Sequence, residues 1–195
     1  MQKVFTLIIL FIGLNKSYGQ ILSYDDFKSL IPYLKTEDWK SAFKESGKLL
    51  KSADKDTSEF HAIILYINIF SAAGMVTENQ MTYKELGKNV MKYQGQKIIM
   101  PAHPVTSKYG AFRQLKFERT DSTNAAFTSA TNSAGTNILC FEKFIFKDKI
   151  NLADFPEKSI ARCGGTLDKI EINPNKSMIW ILRLTITDAF ARKTN

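Results

Sequence analysis

The hydrophobic pattern of this chain changes its period once, near Gly95. Before that point apolar residues recur at intervals of three and four, which is typical of helices with one buried face. After it they alternate with polar residues, as in strands that have one buried face. A run of helices followed by a run of strands indicates the α+β class. We therefore predict a helical region over 20–94 and a β-rich domain over 95–195.

A distinct segment precedes both regions. Lys3 is followed by an apolar run over 4–14, and the small residues Ser17 and Gly19 suit a signal-peptidase cleavage site. The apolar run is shorter than the roughly 20 residues of a membrane-spanning helix. These features predict a signal peptide over 1–19, the alternative being a buried helix of a cytosolic protein. The first interpretation places the protein in the periplasm or outside the cell, with no transmembrane segment after signal removal.

Four helices are expected in the helical region. Pro32 should kink or end the first, because proline lacks the N–H that a helix interior needs. Thr36 and Ser58 are suitable N-caps for the second and third helices. The short polar link between those two helices predicts an antiparallel hairpin, with Trp39 on one face. The expected spans are 24–31, 37–52, 58–74 and 83–93.

Five strands are expected in the second region, over 97–100, 112–119, 138–146, 160–172 and 178–187. The fourth should be broken or bulged at Gly164 and Gly165. Residues 121–136 are rich in Ser, Thr, Asn and Ala and predict a long mobile loop, while 151–155 suggests one helical turn. Trp180 lies on the apolar face of the last strand and should be buried. This alternation of apolar and polar residues would fit either a closed antiparallel barrel or an antiparallel sandwich.

Short motifs in this second region resemble those of an exported, anticodon-binding-like OB-fold family. They are the sequence from Tyr93 to Ile98 before the first strand, Cys140 in the third strand, Gly164-Gly165 in the fourth, and the apolar run 181–186 in the last. The resemblance covers about half the chain, from Lys88 to Ala189. It implies a five-stranded antiparallel OB-like barrel, which is a binding fold and not by itself an activity.

No catalytic signature was found in the sequence. It contains no nucleophile elbow, zinc-protease motif, phosphate-binding loop or dinucleotide fingerprint. His61 belongs to an apolar helix, and His103 lies in a loop with no nearby His, Cys or carboxylate to complete a site. We therefore predict a non-enzymatic protein with no metal and no cofactor.

The two cysteines, Cys140 and Cys163, leave two alternatives open. An even number of cysteines in an exported chain favours a disulfide. In an OB topology, however, their strands are not neighbours, and two buried thiols would fit equally well.

Positive charge is concentrated in the β-rich domain. Residues 20–94 carry ten basic and ten acidic side chains, whereas 95–195 carry fifteen basic and nine acidic ones. Such an excess is typical either of a solvated surface or of a binding face for anionic polymers. The basic and aromatic group near the second strand, our candidate ligand site, consists of Lys108, Tyr109, Arg113 and Lys116.

The sequence leaves three functions open. In the first, the β-rich domain binds an anionic polymer or an oligosaccharide. In the second, the helical hairpin and its Trp39 face bind another exported protein. In the third, the least favoured because no catalytic motif is present, the chain is an enzyme whose site the sequence does not reveal.

Overall fold

The structure is a computed structural model in which residues 20–108, 112–118, 124–175 and 180–194 are described. Helices occupy the first part of this range and strands the second, so the α+β class is confirmed. The predicted signal peptide, residues 1–19, lies outside the described residues and stays a prediction.

In the described part of the chain, four α-helices precede the first strand, and a side chain caps the N-terminus of each. Ser23 and Thr82 form capping boxes with a carboxylate three residues later, and Asp38 and Ser58 each accept one backbone N–H. Such caps satisfy donors that a helix leaves without partners. The helices are α1 (Tyr24–Lys35), α2 (Trp39–Ser52), α3 (Glu59–Thr77) and α4 (Tyr83–Val90), the last continued by a 3-10 turn at Met91–Tyr93.

Two details at the junction of α1 and α2 differ from the sequence prediction. Pro32 lies inside α1, which continues for another three residues. A proline removes only its own N–H, and the Pro32 carbonyl still accepts the Thr36 N–H at 3.2 Å. Thr36 therefore ends α1, and Asp38 is the N-cap of α2.

Helices α2 and α3 form the predicted antiparallel hairpin. Trp39, at the start of α2, packs edge-on against Phe70 with ring centroids 5.4 Å apart, near the end of α3. Further along α2, Ser46 accepts a hydrogen bond from the Asn68 amide at 2.9 Å, nearer the middle of α3. Only 2% of Trp39 is exposed, so this ring belongs to the interior of the hairpin.

By length and composition alone, helix α3 could cross a membrane. In this structure, however, 72% of its 18-residue apolar stretch is buried. The rest of the chain covers it on nearly all sides, which explains an apolar composition around the whole helix.

Within the described residues, seven strands form one mixed sheet in the order β1-β6-β7-β5-β4-β3, with β2 also paired to β6. β5 and β7 are parallel and the other pairs are antiparallel. A 3-10 turn at Leu152–Asp154 lies between β5 and β6. The strands are β1 (Lys97–Ile99), β2 (His103–Pro104), β3 (Lys116–Phe117), β4 (Ala125–Thr131), β5 (Ile138–Phe146), β6 (Ile160–Ile172) and β7 (Trp180–Lys193).

This sheet differs from the predicted five-stranded antiparallel barrel. It has more strands, one parallel pair, and no ladder between β1 and β3 within the described residues. The strand expected over 112–119 shortens to β3, and the loop expected over 121–136 contains β4. The rule that small polar residues form loops fails at β4 because nearly all of its residues are buried, where small side chains fit.

The predicted bulge at Gly164 and Gly165 is confirmed. The register between β6 and β7 shifts between Gly164 and Thr166. A Cβ on Gly164 would lie 2.8 Å from the Ile98 carbonyl oxygen, and one on Gly165 would lie 2.6 Å from the Thr187 oxygen. Glycine is therefore required here by the close approach of two neighbouring backbones.

One hydrophobic core runs through both the helices and the sheet. It contains Leu65 and Ile69 of α3 together with Leu139 of β5 and Leu182 of β7. Trp180 is 7% exposed, so its predicted burial is also confirmed.

Candidate binding groove

An open groove of about 770 Å³ lies over the outward face of β4, β5 and β7. Side chains alternate between the two faces of each strand. Phe141, Glu142 and Lys143 of β5 all border the groove, but Glu142 is only 2% exposed and its carboxyl lies in the core. The groove therefore lies on the outer side of the sheet, with Phe141 and Lys143 as its more exposed side chains on this strand.

The strand register arranges the groove side chains in rows across the sheet. Adjacent strands are about 4.8 Å apart, so neighbours in a row can contact the same ligand group. The first row contains Lys116, Phe127, Lys143 and Thr185. The second contains Ser129, Phe141, Arg183 and Glu171.

Cations outnumber ionised carboxylates in the groove. The four basic lining residues are Lys108, Lys116, Lys143 and Arg183. Besides the buried Glu142, the acidic lining residues are Glu118 and Glu171, both half-buried, and Glu171 forms an ion pair with Lys169 at 3.1 Å. The field inside the groove therefore favours an anionic ligand.

Three phenylalanines supply the apolar surface of the groove, namely Phe112, Phe127 and Phe141. Phe112 is 47% exposed and Phe127 is 38% exposed. Lys143 Nζ lies 5.9 Å from the centroid of the Phe127 ring. Several aromatic rings gathered in one groove with a few charged groups are a common feature of ligand sites, whereas single exposed rings are not.

The structure brings together two of the four predicted site residues. Lys108 and Lys116 both line the groove. Tyr109 lies outside the described residues. Arg113 does not line the groove, because its guanidinium donates to Thr131 Oγ1 at 3.0 Å and to the Thr131 carbonyl at 3.2 Å. Its role is to join the segment before β3 to the end of β4.

Sequence reasoning missed the centre of the groove, which consists of Phe127, Phe141, Lys143 and Arg183. A signal was present on β7, where Arg183 and Thr185 alternate with apolar residues. On β5 the signal was weaker, because the apolar Phe141 is the more exposed residue and the charged Glu142 is buried. This is the reverse of the usual pattern for a strand with one buried face.

A buried carboxyl lies beneath the floor of the groove. Glu142 Oε1 accepts a hydrogen bond from the Tyr66 hydroxyl of α3 at 2.7 Å. Burial raises the pKa of Glu142 to about 8, although the hydrogen bond from Tyr66 acts in the opposite direction. At neutral pH this carboxyl is therefore mostly uncharged and does not repel an anion in the groove.

The remaining chemistry-bearing residues of the described ranges do not come together in a second site. His103 Nδ1 lies 3.1 Å from the Arg113 carbonyl, and burial lowers the pKa of its ring. Among the described residues, no group of three or more His, Cys, Asp and Glu is placed to bind a metal ion.

Cys140 and Cys163 are both buried and both free in the structure. Cys140 pairs with Leu182 of β7, and Cys163 pairs with Ala191 of the same strand. A separation of nine residues corresponds to about 30 Å along a strand, whereas a disulfide needs Cα atoms within about 7 Å of each other. The fold therefore matches the alternative with two buried thiols.

No protein-family model, curated protein or solved structure matches this chain. Its function is therefore inferred from the residues and geometry of the groove.

Proposed function

We propose that this protein is an exported, non-enzymatic binding protein whose groove takes an acidic oligosaccharide. Export depends on the signal peptide predicted over 1–19. The ligand class depends on the charge, shape and aromatic surface of the groove.

The observation that carries the proposal is the alternation of cations and rings on one groove floor. Lys116, Phe127 and Lys143 follow one another across three strands. A ligand with negative groups and flat apolar faces can contact the exposed Phe127 ring and the exposed Lys143 ammonium at once, while the buried Lys116 ammonium contributes its charge. The volume of about 770 Å³ lies within the roughly 300–1,000 Å³ of sites for small ligands, so several sugar units fit.

We also propose that the sheet is an OB-like barrel with an interrupted first strand. β1 and β2 pair with β6, whereas β3 pairs with β4, and all three come from the stretch 97–117. The segment that contains β1 and β2 meets the segment that contains β3 where the Leu115 N–H donates to the Pro104 carbonyl at 2.8 Å. If this stretch is counted as one strand, the pairing order matches an OB-fold, whose strands two and three bind oligonucleotides and oligosaccharides.

An oligosaccharide is favoured over a nucleic acid by the predicted compartment, since nucleic acid is a poor default ligand outside the cytoplasm. The helical adaptor hypothesis has less support. It assigned Trp39 to a partner surface, but Trp39 is packed inside the α2–α3 hairpin.

The test is calorimetric titration of the purified protein with oligogalacturonate, with a neutral oligosaccharide of equal length, and with oligo-dT. We expect oligogalacturonate to bind most tightly, with an affinity that falls as salt screens the charges. Lys143→Glu should abolish this binding. The matched control is Lys44→Glu, which makes the same charge change at an exposed position on α2.

Each result bears on the proposal. Tighter binding of oligo-dT would replace the oligosaccharide with a single-stranded nucleic acid. Binding to none of the three probes, or equal losses in the two variants, would refute the groove as an acidic-ligand site.

A further inference from the structure

The side chain of Arg183 is stacked on an aromatic ring at one end of the groove. Its Cζ lies 4.2 Å from the centroid of the Trp180 ring. Trp180 is itself fixed, because the Asn173 amide donates to its carbonyl at 2.7 Å and the Asn173 N–H donates to Ile181 at 3.0 Å. The guanidinium therefore lies closer to its aromatic ring than the Lys143 ammonium does to Phe127, at 4.2 Å against 5.9 Å.

The charge of Arg183 is available to a ligand. No ion pair of Arg183 occurs within the part of the chain that the structure describes. Its cross-strand partner on β6 is Glu171, and that carboxylate is paired with Lys169. An arginine that lines a groove without a carboxylate partner is a candidate anion anchor.

The neighbours of Arg183 define the shape of the anion. Its partner on β5 is Phe141, about 4.8 Å away across the sheet, and Ser129 follows on β4. A uronic acid has a carboxylate attached directly to a sugar ring. With the ring on Phe141, the carboxylate would lie over Arg183 and a sugar hydroxyl near Ser129.

Arginine and lysine differ in what they recognise. The guanidinium presents a planar fork that binds both oxygens of a carboxylate, whereas an ammonium group acts as a point charge. Stacking on Trp180 orients this fork before the ligand arrives, which lowers the entropy lost on binding.

From these contacts we infer that Arg183 and Phe141 form a uronic-acid subsite, in which Arg183 selects a carboxylate attached directly to the sugar ring over a sulfate, which an ester oxygen holds further from that ring. This inference rests on the proposed function and names the ligand class of the same groove. Lys116 and Lys143 then attract the polymer by charge, and Arg183 discriminates among anions.

The experiment compares oligogalacturonate with dextran sulfate oligomers of similar length. Arg183→Lys keeps the charge and removes the fork, so affinity for oligogalacturonate should fall about tenfold or more, as for the loss of one charge-assisted hydrogen bond. Affinity for dextran sulfate should stay within about twofold, because screened charge attraction is retained.

Arg192→Lys is the matched control. Arg192 also stacks on a ring, with its Cζ 4.6 Å from the Phe190 centroid, but it does not line the groove. This variant should bind both probes as the wild type does. Melting temperatures of both variants, whose substituted side chains are exposed, show that the fold is retained.

The outcomes distinguish failure of the binding function from failure of the subsite. If the wild type binds neither probe, the proposed function fails. If it binds both and Arg183→Lys changes neither affinity, or weakens both equally, the selective role of Arg183 is refuted while the binding function remains. If the wild type binds only dextran sulfate, the uronic-acid subsite is wrong.

Discussion

The hydroxyl of Tyr66 donates a hydrogen bond of 2.7 Å to the carboxyl group of Glu142, and this bond connects helix α3 to the central strand β5. Both side chains are buried. Within the described residues, the second oxygen of Glu142 has no hydrogen-bond partner. The connection between the helices and the sheet therefore includes a carboxyl that is most stable when uncharged.

The first prediction is that stability falls as pH rises from about 4.5 to about 8. The pKa of Glu142 is about 8 in the folded chain, against an ordinary value of 4.5. Between these values the folded state retains a proton that the unfolded state has lost, so raising the pH favours unfolding. The total effect is at most about 5 kcal/mol. Urea unfolding of the wild type across this pH range measures it.

Glu142→Gln is the variant that isolates this group, because the amide is uncharged at every pH and retains an oxygen for Tyr66. Burial lowers the pKa of His61 and of His103, which gives stability the opposite slope near pH 6, but both histidines are present in both proteins. The gap between variant and wild type should therefore widen in favour of the variant from pH 5 to pH 8. Parallel profiles would contradict the protonated state of Glu142.

The second prediction concerns Gly74 of α3. A Cβ at this position would lie 2.6 Å from Cγ of Trp39, an indole fixed between two helices. Gly74→Ala should therefore destabilise the protein by roughly 1–3 kcal/mol through overpacking, although alanine is the better helix former.

The control for this substitution is Gly47→Ala on α2. There the nearest atom to the new Cβ is the Asn68 amide nitrogen at 3.5 Å, an ordinary contact. The control should be neutral or stabilising in thermal unfolding. If both variants melt at the same temperature, the close packing of Trp39 on Gly74 is incorrect.

The elements that the sequence predicts well are those with a clear N-cap or a clear alternation of polar and apolar residues. Ser58 caps α3 as expected, and on β7 the exposed Arg183 alternates with the buried Leu182 and Leu184. Here local pattern and tertiary burial agree, so the period alone determines the element.

The elements that it misses depend on long-range contacts. β4 is composed mostly of Ala, Ser and Thr, and becomes a strand because β5 pairs along its whole length. Arg113, expected at the ligand site, instead donates to the backbone of Thr131, eighteen residues away. The groove itself joins the consecutive strands β4 and β5 to β7, which follows much later in the sequence, so no local pattern could locate its centre.

The third prediction is that the native protein contains two thiols and no disulfide. Burial raises the pKa of Cys140 and of Cys163, so both should react slowly with a thiol reagent in the folded state. After denaturation without reductant, two thiols per chain should react. A count of zero would show a bridge and would contradict the register between β5, β7 and β6.

The fourth prediction concerns Phe127, the ring between Lys116 and Lys143 in the first row of the groove. Phe127→Ala should lower the affinity for oligogalacturonate about tenfold, by analogy with the roughly 1–3 kcal/mol per base that stacking on an aromatic ring contributes in sites for single-stranded nucleic acid. The remaining binding should depend more steeply on salt, because charge attraction would then supply a larger share of it. Since Phe127 is 38% exposed, the melting temperature should change little.

Ile145→Ala is the control for this substitution. Ile145 lies on β5, on the same face of the sheet as Phe127, and is 37% exposed, but it does not line the groove. It should leave the affinity unchanged, and equal affinities for the two variants would show that the Phe127 ring does not contact the ligand.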